Sequence, residues 1–336
     1  MNVIELLQKA VVDQASDIFI IAGLPVSYRT NGRILREEGE RLMPPQTSEF
    51  VQQLYELAQA RDLSPLLERG DDDFSFAIPG LSRFRVITFE LPHPEDIGIP
   101  APVMKFAGLS KGMVLVTGPA GSGKSTTLAC LVNQINHTME KHIITLEDPI
   151  EYLHRHDKSI VSQREISIDT LSYVNALRAS LRQSPDVILL GEMRDYETMD
   201  VAMTAAETGH LVFSTLHTIG AANTIDRIID VFPANQQRQI AVQLSMVLQA
   251  VISQQLVPAL DGTQVPAFEI MTVTPAIRNM IRDNKIPQID GTVYSANKED
   301  MHSMDYSLQL LVKEGTVAPE TALSYASNPE MLKKKL

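Results

Sequence analysis

Apolar residues recur at helical spacing through VIELLQKAVVDQA (3–15), and SDIFIIAG (16–23) then becomes the short apolar run of a strand. In YRTNGRI an Asn-Gly turn sits between two short strands, and a second helix is predicted near 46–62. DDDFSFAIPGLSRFRVITF (71–89) alternates on both sides of Pro79-Gly80, which predicts a strand pair closed by that turn. These elements predict a small α+β domain. Four prolines and a glycine within LPHPEDIGIPAP (91–102) interrupt any regular pattern, so a linker is expected at about 92–102. The expected domains are 1–98 and 99–336.

From Gly112 onward the pattern changes to strand then helix, repeated. MVLVTG, HIITLED, DVILLGE and HLVFSTLH are short apolar strands. SGKSTTLACLVNQIN, TLSYVNALRASLR and VAMTAAETG are the helices between them. Continuous apolar strands alternating with helices predict a parallel sheet covered on both faces. Ligands of such sheets gather at the carboxyl ends of the strands. The pattern is less informative over 284–336, where helices, a loop and a frayed basic tail at LKKKL are expected.

Composition narrows the choices. A chain of 336 residues with 44% hydrophobic content is long enough for two cores. It contains no run of 18 apolar residues, and MNVIELLQKA lacks the build of a signal peptide, so a cytoplasmic protein is expected. The one cysteine, Cys130, excludes an internal disulfide and is expected to be a small buried hydrophobe on a helix. A net charge of −12 opposes nucleic acid as the main partner, although a locally basic channel stays open.

Candidate chemistry begins with GPAGSGKST (118–126), which fits G-x-x-x-x-G-K-[ST] between a predicted strand and a predicted helix. Gly118, Pro119, Ala120, Gly121, Ser122 and Gly123 would turn backbone amides around phosphate oxygens at a positive helix end. Lys124 would reach the β and γ phosphates, while Ser125 and Thr126 would hold phosphate and Mg2+. Glu192 directly follows an apolar strand, where P-loop enzymes keep a carboxylate for the metal or its water, but Gly191 stands where many have Asp. A second acidic group, Glu147-Asp148-Pro149-Ile150-Glu151, follows HIITL. Glu151 and Glu192 are the candidates for handling the attacking water; Glu147 and Asp148 read equally well as a capped, solvated turn. His210 and His217 open and close one strand, about 23 Å apart in extended chain, too far to share an ion. His217, at the carboxyl end, is placed to contact a γ phosphate; His210 reads as a histidine satisfied by a backbone carbonyl.

GPAGSGKST, TLEDPIEY, ILLGEMRD and TAAETGHLVFSTLHT resemble, in order and approximate spacing, the motifs of the secretion-type ATPases of type IV pili and type II and IV secretion. ASDIFIIAG and SRFRV resemble that family's small PAS-like domain. The resemblance implies a RecA-like P-loop NTPase domain behind a PAS-like α+β domain. Within the family the chain is similar to the pilus retraction, or twitching motility, group. It has one cysteine where extension ATPases carry a four-cysteine insert, it begins almost at the compact domain, and AIRNMIRD (276–283) is similar to the group's C-terminal signature.

The resemblance implies an ATP-hydrolysing, Mg2+-dependent homo-hexamer on the inner face of the cell membrane. Its implied partners are an inner-membrane platform protein and a related pilus ATPase. Glu151 would be the base, Glu192 would work at the metal, and His217 would sense nucleotide state. Arg182 and Arg194 match arginines near the nucleotide or a subunit contact, and Arg83 and Arg85 match SRFRV. The resemblance also implies about a dozen further residues after Val86, with an Arg-Gly pair and a later arginine. Here SRFRV runs straight into ITFELPHPEDIGIP. That join is expected to break a strand pair, so the arginine-bearing segment is expected to belong to the protein. Pilus extension, type II secretion, a DNA-translocating motor and a non-hydrolysing scaffold stay open as alternatives.

Overall fold

The computed structural model describes residues 2–336 except 16, 31–32, 38, 59–60, 65, 67–70, 90, 92 and 297–299, with backbone alone at 33–34, 71–75, 83 and 85–89. Contacts divide the chain into two units, Met1–Pro92 and His93–Leu336.

In the first unit, α1 (Val3–Val12) starts at a capping box. Asn2 Oδ1 accepts the Glu5 amide at 2.9 Å and the Glu5 carboxylate accepts the Asn2 amide at 3.0 Å. Its buried residues Val3, Leu6, Leu7 and Ala10 follow the i, i+3, i+4, i+7 spacing. They share a core with Phe50, Leu54 and Tyr55 of α2 (Pro44–Leu57). β1 (Asp17–Phe19), β2 (Ser27–Thr30) and β3 (Arg33–Arg36) form an antiparallel sheet in that order. β4 (Asp71–Ile78) and β5 (Ser82–Phe89) form a hairpin paired from Ile78↔Ser82 to Asp71↔Phe89. Val86 passes directly to Ile87 within β5, so the arginine-bearing segment expected after Val86 is absent from this chain. The join does not break the pair, because alternating residues continue the strand to Phe89.

The second unit is built on seven strands. They are β6 (Gly112–Thr117), β7 (His142–Glu147), β8 (Ile160–Glu165), β9 (Val187–Leu190), β10 (Leu211–Leu216), β11 (Leu248–Pro258) and β12 (Gln264–Thr272). Their order is β12-β11-β6-β10-β9-β7-β8. All neighbours are parallel except β12, which returns antiparallel along β11. The expected four-stranded parallel sheet is therefore extended by β8, by β11 and by the inverted edge strand β12. All six residues of β6 are buried, which places it at the centre of the core. Met113 and Leu115 point to one face, packed with α5 (Tyr173–Ser180), α6 (Tyr196–Glu207), α7 (Ala221–Asp230) and α8 (Gln237–Val247). Val114 and Val116 point to the other, where α4 (Lys124–Thr138) packs against β6 and β10. A short helix, α3 (Ala101–Met104), packs on α4 with Val103 buried, so much of the stretch expected as a linker is part of this unit. Cys130 is buried on α4, and burial pushes its thiol up to about 12.

Five further helices complete the unit: α9 (Pro275–Arg282), α10 (Pro287–Ala296), α11 (Met304–Lys313), α12 (Pro319–Tyr325) and α13 (Pro329–Lys333). On α9, Ile277 and Ile281 are buried, while Arg278 donates to the Met246 carbonyl at 2.8 Å and to that of Ser245, satisfying carbonyls at the end of α8. The LKKKL ending is not frayed. Leu332 is buried with Val257, Leu308 and Ala322, and Lys335 Nζ lies 4.3 Å from the centre of the Tyr294 ring. Among the described residues no helix is long and apolar enough to cross a membrane.

Candidate active site

β6 delivers the chain to the loop 118–123 and α4 carries it away from Lys124. Gly118 is required there: its φ is 143°, and a Cβ on it would lie 2.2 Å from the Gln254 carbonyl oxygen of β11. Lys124 is buried and donates to the carbonyls of Gly118 at 2.9 Å and Pro119 at 2.7 Å. Burial pulls its pKa down, while the charges of Glu151 and Glu192 push it up. A cavity of about 260 Å3 is lined by residues 121–126, Glu151 and Leu256. The amide end of α4 makes this cavity a natural anion site.

Glu151 reaches the cavity from a different strand. Its oxygen Oε1 accepts the Ser125 hydroxyl at 3.0 Å, and the neighbouring Tyr152 hydroxyl lies 2.9 Å from that of Thr126. Strand β8, which alternation did not reveal, fixes this loop. Glu165 accepts the Ile150 amide at 3.0 Å, and Gln163 accepts the His154 amide at 2.7 Å while donating to the Tyr152 carbonyl at 2.8 Å. The other two acids of the group behave differently. Glu147 accepts the Thr145 hydroxyl at 2.6 Å, and burial raises its pKa. Asp148 is exposed.

Glu192 follows β9 with its side chain 12% exposed. One of its oxygens lies 2.6 Å from Arg194 Nη2 and the other 3.4 Å from His217 Nε2. Two bonds bring these strand ends together: the Thr215 hydroxyl donates to the Gly191 carbonyl at 2.6 Å, and the Met193 amide donates to the Thr215 carbonyl at 3.2 Å. The glycine in place of Asp has a steric cause. A Cβ at position 191 would meet the Tyr173 hydroxyl at 2.8 Å and the Leu146 carbonyl oxygen at 3.2 Å.

The structure thus gathers Lys124, Ser125, Thr126, Glu151, Glu192, His217 and Arg194 at the carboxyl ends of neighbouring strands. It does not bring Arg182 there. Arg182 is exposed just beyond α5, and the adjacent Gln183 carbonyl bonds the ring of His142 at the opposite, amino end of β7. His210 is also at that end, with Nδ1 2.9 Å from the Ala205 carbonyl oxygen. The side chains of Arg83 and Arg85 lie outside the described residues. Sequence reasoning missed Tyr173, Gln163 and Glu165, and also Ser253, Gln254 and Glu269 on β11 and β12. The one available signal for the β11 pair was a polar SQQ inside an apolar run.

A family model described as Type II/IV secretion system protein matches residues 101–312. The type IV pilus retractation ATPase PilT of Pseudomonas aeruginosa is 43% identical, with 98% of this chain and 99% of that protein covered. A twitching motility protein of Neisseria gonorrhoeae is also 43% identical, with 98% of this chain and 92% of that protein covered. The crystal structure of the pilus retraction motor PilT with bound ADP superposes with a TM-score of 0.70 at 42% identity, covering 99% of both chains. A fold-level likeness extends to the Legionella pneumophila ATPase DotB, at 24% identity and a TM-score of 0.65 over 96% of this chain and 95% of that one. Matched over most of its second unit by the family model and over nearly its whole length by these relatives, the chain belongs to the type II/IV secretion system protein family.

Proposed function

We propose that this protein is an ATPase that powers type IV pilus retraction, the activity for which its 43% identical Pseudomonas aeruginosa relative is named. One observation carries the chemistry: Glu151 of one strand end touches Ser125 of the P-loop at 3.0 Å. A carboxylate so placed can accept a proton from water attacking the γ phosphate. The α4 amides and Lys124 hold the phosphates, Lys124 by exchanging the Gly118 and Pro119 carbonyls for phosphate oxygens. Glu192, bridging Arg194 and His217, holds the imidazole among the strand tips, where it donates to a phosphate oxygen. The oxygen donors Ser125, Glu151 and Glu192 fit Mg2+, which prefers hard oxygen ligands. Ser125 and Glu192 would hold it, and it would offset the charge of the phosphates. The working form is a homo-hexamer at the cytoplasmic face of the membrane, acting on an inner-membrane platform protein.

Steady-state phosphate release tests the chemistry. Glu151→Gln and Glu192→Gln are each expected to lose turnover by about 10²-fold or more while keeping affinity for a fluorescent ADP analogue. Full turnover by Glu151→Gln sinks the assignment. Deletion in a piliated host separates retraction from extension: hyperpiliated, non-twitching cells support retraction and bare cells replace it with extension. Gel filtration with an ATP analogue and Mg2+ is expected to return a hexamer, and monomer alone counts against the ring.

A further inference from the structure

β11 lies directly beside the strand that feeds the P-loop, with Ser253 opposite Thr117 in parallel register. Three consecutive residues of β11, Ser253, Gln254 and Gln255, are polar yet buried, and the first two, Ser253 fully and Gln254 at 3% exposure, bond the loops at the candidate site. Burying such groups is costly unless each has a partner, so their bonds deserve tracing. Successive residues of a strand face opposite sides of the sheet, and these two use both sides.

On the α4 side, Gln254 Oε1 accepts the Thr127 hydroxyl at 2.7 Å in the first turn of α4. The amide of the same side chain fills the space beside Gly123, where an added Cβ would lie 2.8 Å from Nε2. The Gln254 carbonyl occupies the space beside Gly118. One residue thus supports the beginning and the end of the phosphate loop.

On the α7 side, Ser253 Oγ accepts the Gly220 amide at 3.0 Å, three residues after His217. Its cross-strand partner on β12 is Glu269. That buried carboxylate accepts the Ala221 amide at 2.8 Å at the start of α7. The turn that carries His217 is therefore held by two side chains from this hairpin.

We propose that Ser253 and Gln254 are positioning residues for the ATPase reaction: Gln254 sets the shape of the phosphate loop, and Ser253 sets the turn bearing His217. The inference rests on the ATPase reading above. Being neighbours on one strand, the two hold both loops in one frame, so that a displacement of the phosphate loop is felt at the His217 turn.

The test uses the full chain, measuring steady-state turnover and fluorescent-ADP affinity. Ser253→Ala is expected to lower kcat about 5- to 10-fold, the effect of one buried hydrogen bond, with ADP affinity kept within about twofold. The double variant Ser253→Ala/His217→Ala is expected to be no slower than His217→Ala alone, because the serine acts through the histidine. Gln254→Ala is expected to raise both Kd for ADP and KM for ATP about 10-fold, with a smaller fall in kcat at saturation. Thr127→Val, which removes only the hydroxyl that Gln254 holds, is expected to give the same signature if Gln254→Ala does not fold. Multiplying losses in the double variant overturn the proposal, as does a lowered Tm with kcat and Kd unchanged. If His217→Ala itself keeps wild-type turnover, the role of His217 fails and this proposal with it. If His217→Ala is slow and Ser253→Ala is not, the proposal alone fails.

Discussion

At the amino ends of β7, β9 and β10, Asp186 accepts the His142 amide at 3.0 Å and pairs with Lys141 at 2.9 Å, and His210 bonds the Ala205 carbonyl. At the carboxyl ends of the neighbouring strands, Lys124 and Glu151 line one cavity and Glu192 pairs with His217, so that two of the contacts join side chains from separate segments. The residue types are nearly the same at both ends. The difference lies in what satisfies them. At the amino end Asp186 is completed by a backbone amide and Lys141, and His210 by a backbone carbonyl. Side chains converge at the carboxyl ends because each strand there gives way to a loop, whereas the helices return along the faces.

The sharpest way to break this contrast is to remove one charge from each end. Lys124→Ala is expected to lose about 10²–10³-fold in turnover, while Arg182→Ala and His210→Ala stay within about twofold of wild type in phosphate release. A comparable loss at Arg182 would show that the far end of the sheet joins the chemistry through a second copy of the chain.

Gly191 tests how tightly the carboxyl end is packed. Gly191→Asp is expected to overpack against the Tyr173 hydroxyl and lower Tm by roughly 2–10 °C in a thermal melt. Adding Tyr173→Phe, which removes the clashing oxygen, is expected to restore part of the loss. The amino end gives a smaller number. His210→Ala is expected to cost about 1 kcal/mol in chemical denaturation, the worth of one hydrogen bond to the Ala205 carbonyl, with kcat unchanged.

The smallest effect is pH-dependent. Burial opposes ionisation of Asp186, but the His142 amide and Lys141 outweigh it and hold its carboxyl below the ordinary 3.8. A carboxyl depressed on folding stabilises the protein above its unfolded value, and the gain disappears as pH falls through the folded value. Wild type and Asp186→Asn should therefore differ in denaturant midpoint at pH 7, and the gap should close as pH falls past the ordinary carboxylate range and through the lowered folded value.

The sequence was readable where one signal dominated. β6, β7, β9 and β10 are short apolar runs, and the glycine loop after β6 meets the physical requirement of a tight turn, so the central sheet and the phosphate loop followed directly. β8 reads as IVSQRE and β11 contains SQQ, and these polar residues hide the strands because their partners are far along the chain. Gln163 and Glu165 bond the loop at 150–154, while Ser253 and Gln254 bond residues 33 and 127 positions away. Helical AIRNMIRD was legible from spacing, but the bond from Arg278 to the end of α8 was not. Arg182 was matched to an arginine near the nucleotide or a subunit contact, and the fold puts it at the other end of the strands from the phosphate loop, which leaves the subunit contact as its reading. Leu332 was hidden by the lysines that follow it.

The sole thiol of the chain sits on α4 with burial raising it to about 12, far above neutral pH. Maleimide chemistry requires an accessible thiolate, and Cys130 is 2% exposed, so the native chain is expected to label slowly with such dyes. A cysteine introduced on an exposed surface of either unit is expected to react first. Fluorophores could then report domain movement during turnover without first deleting the natural residue.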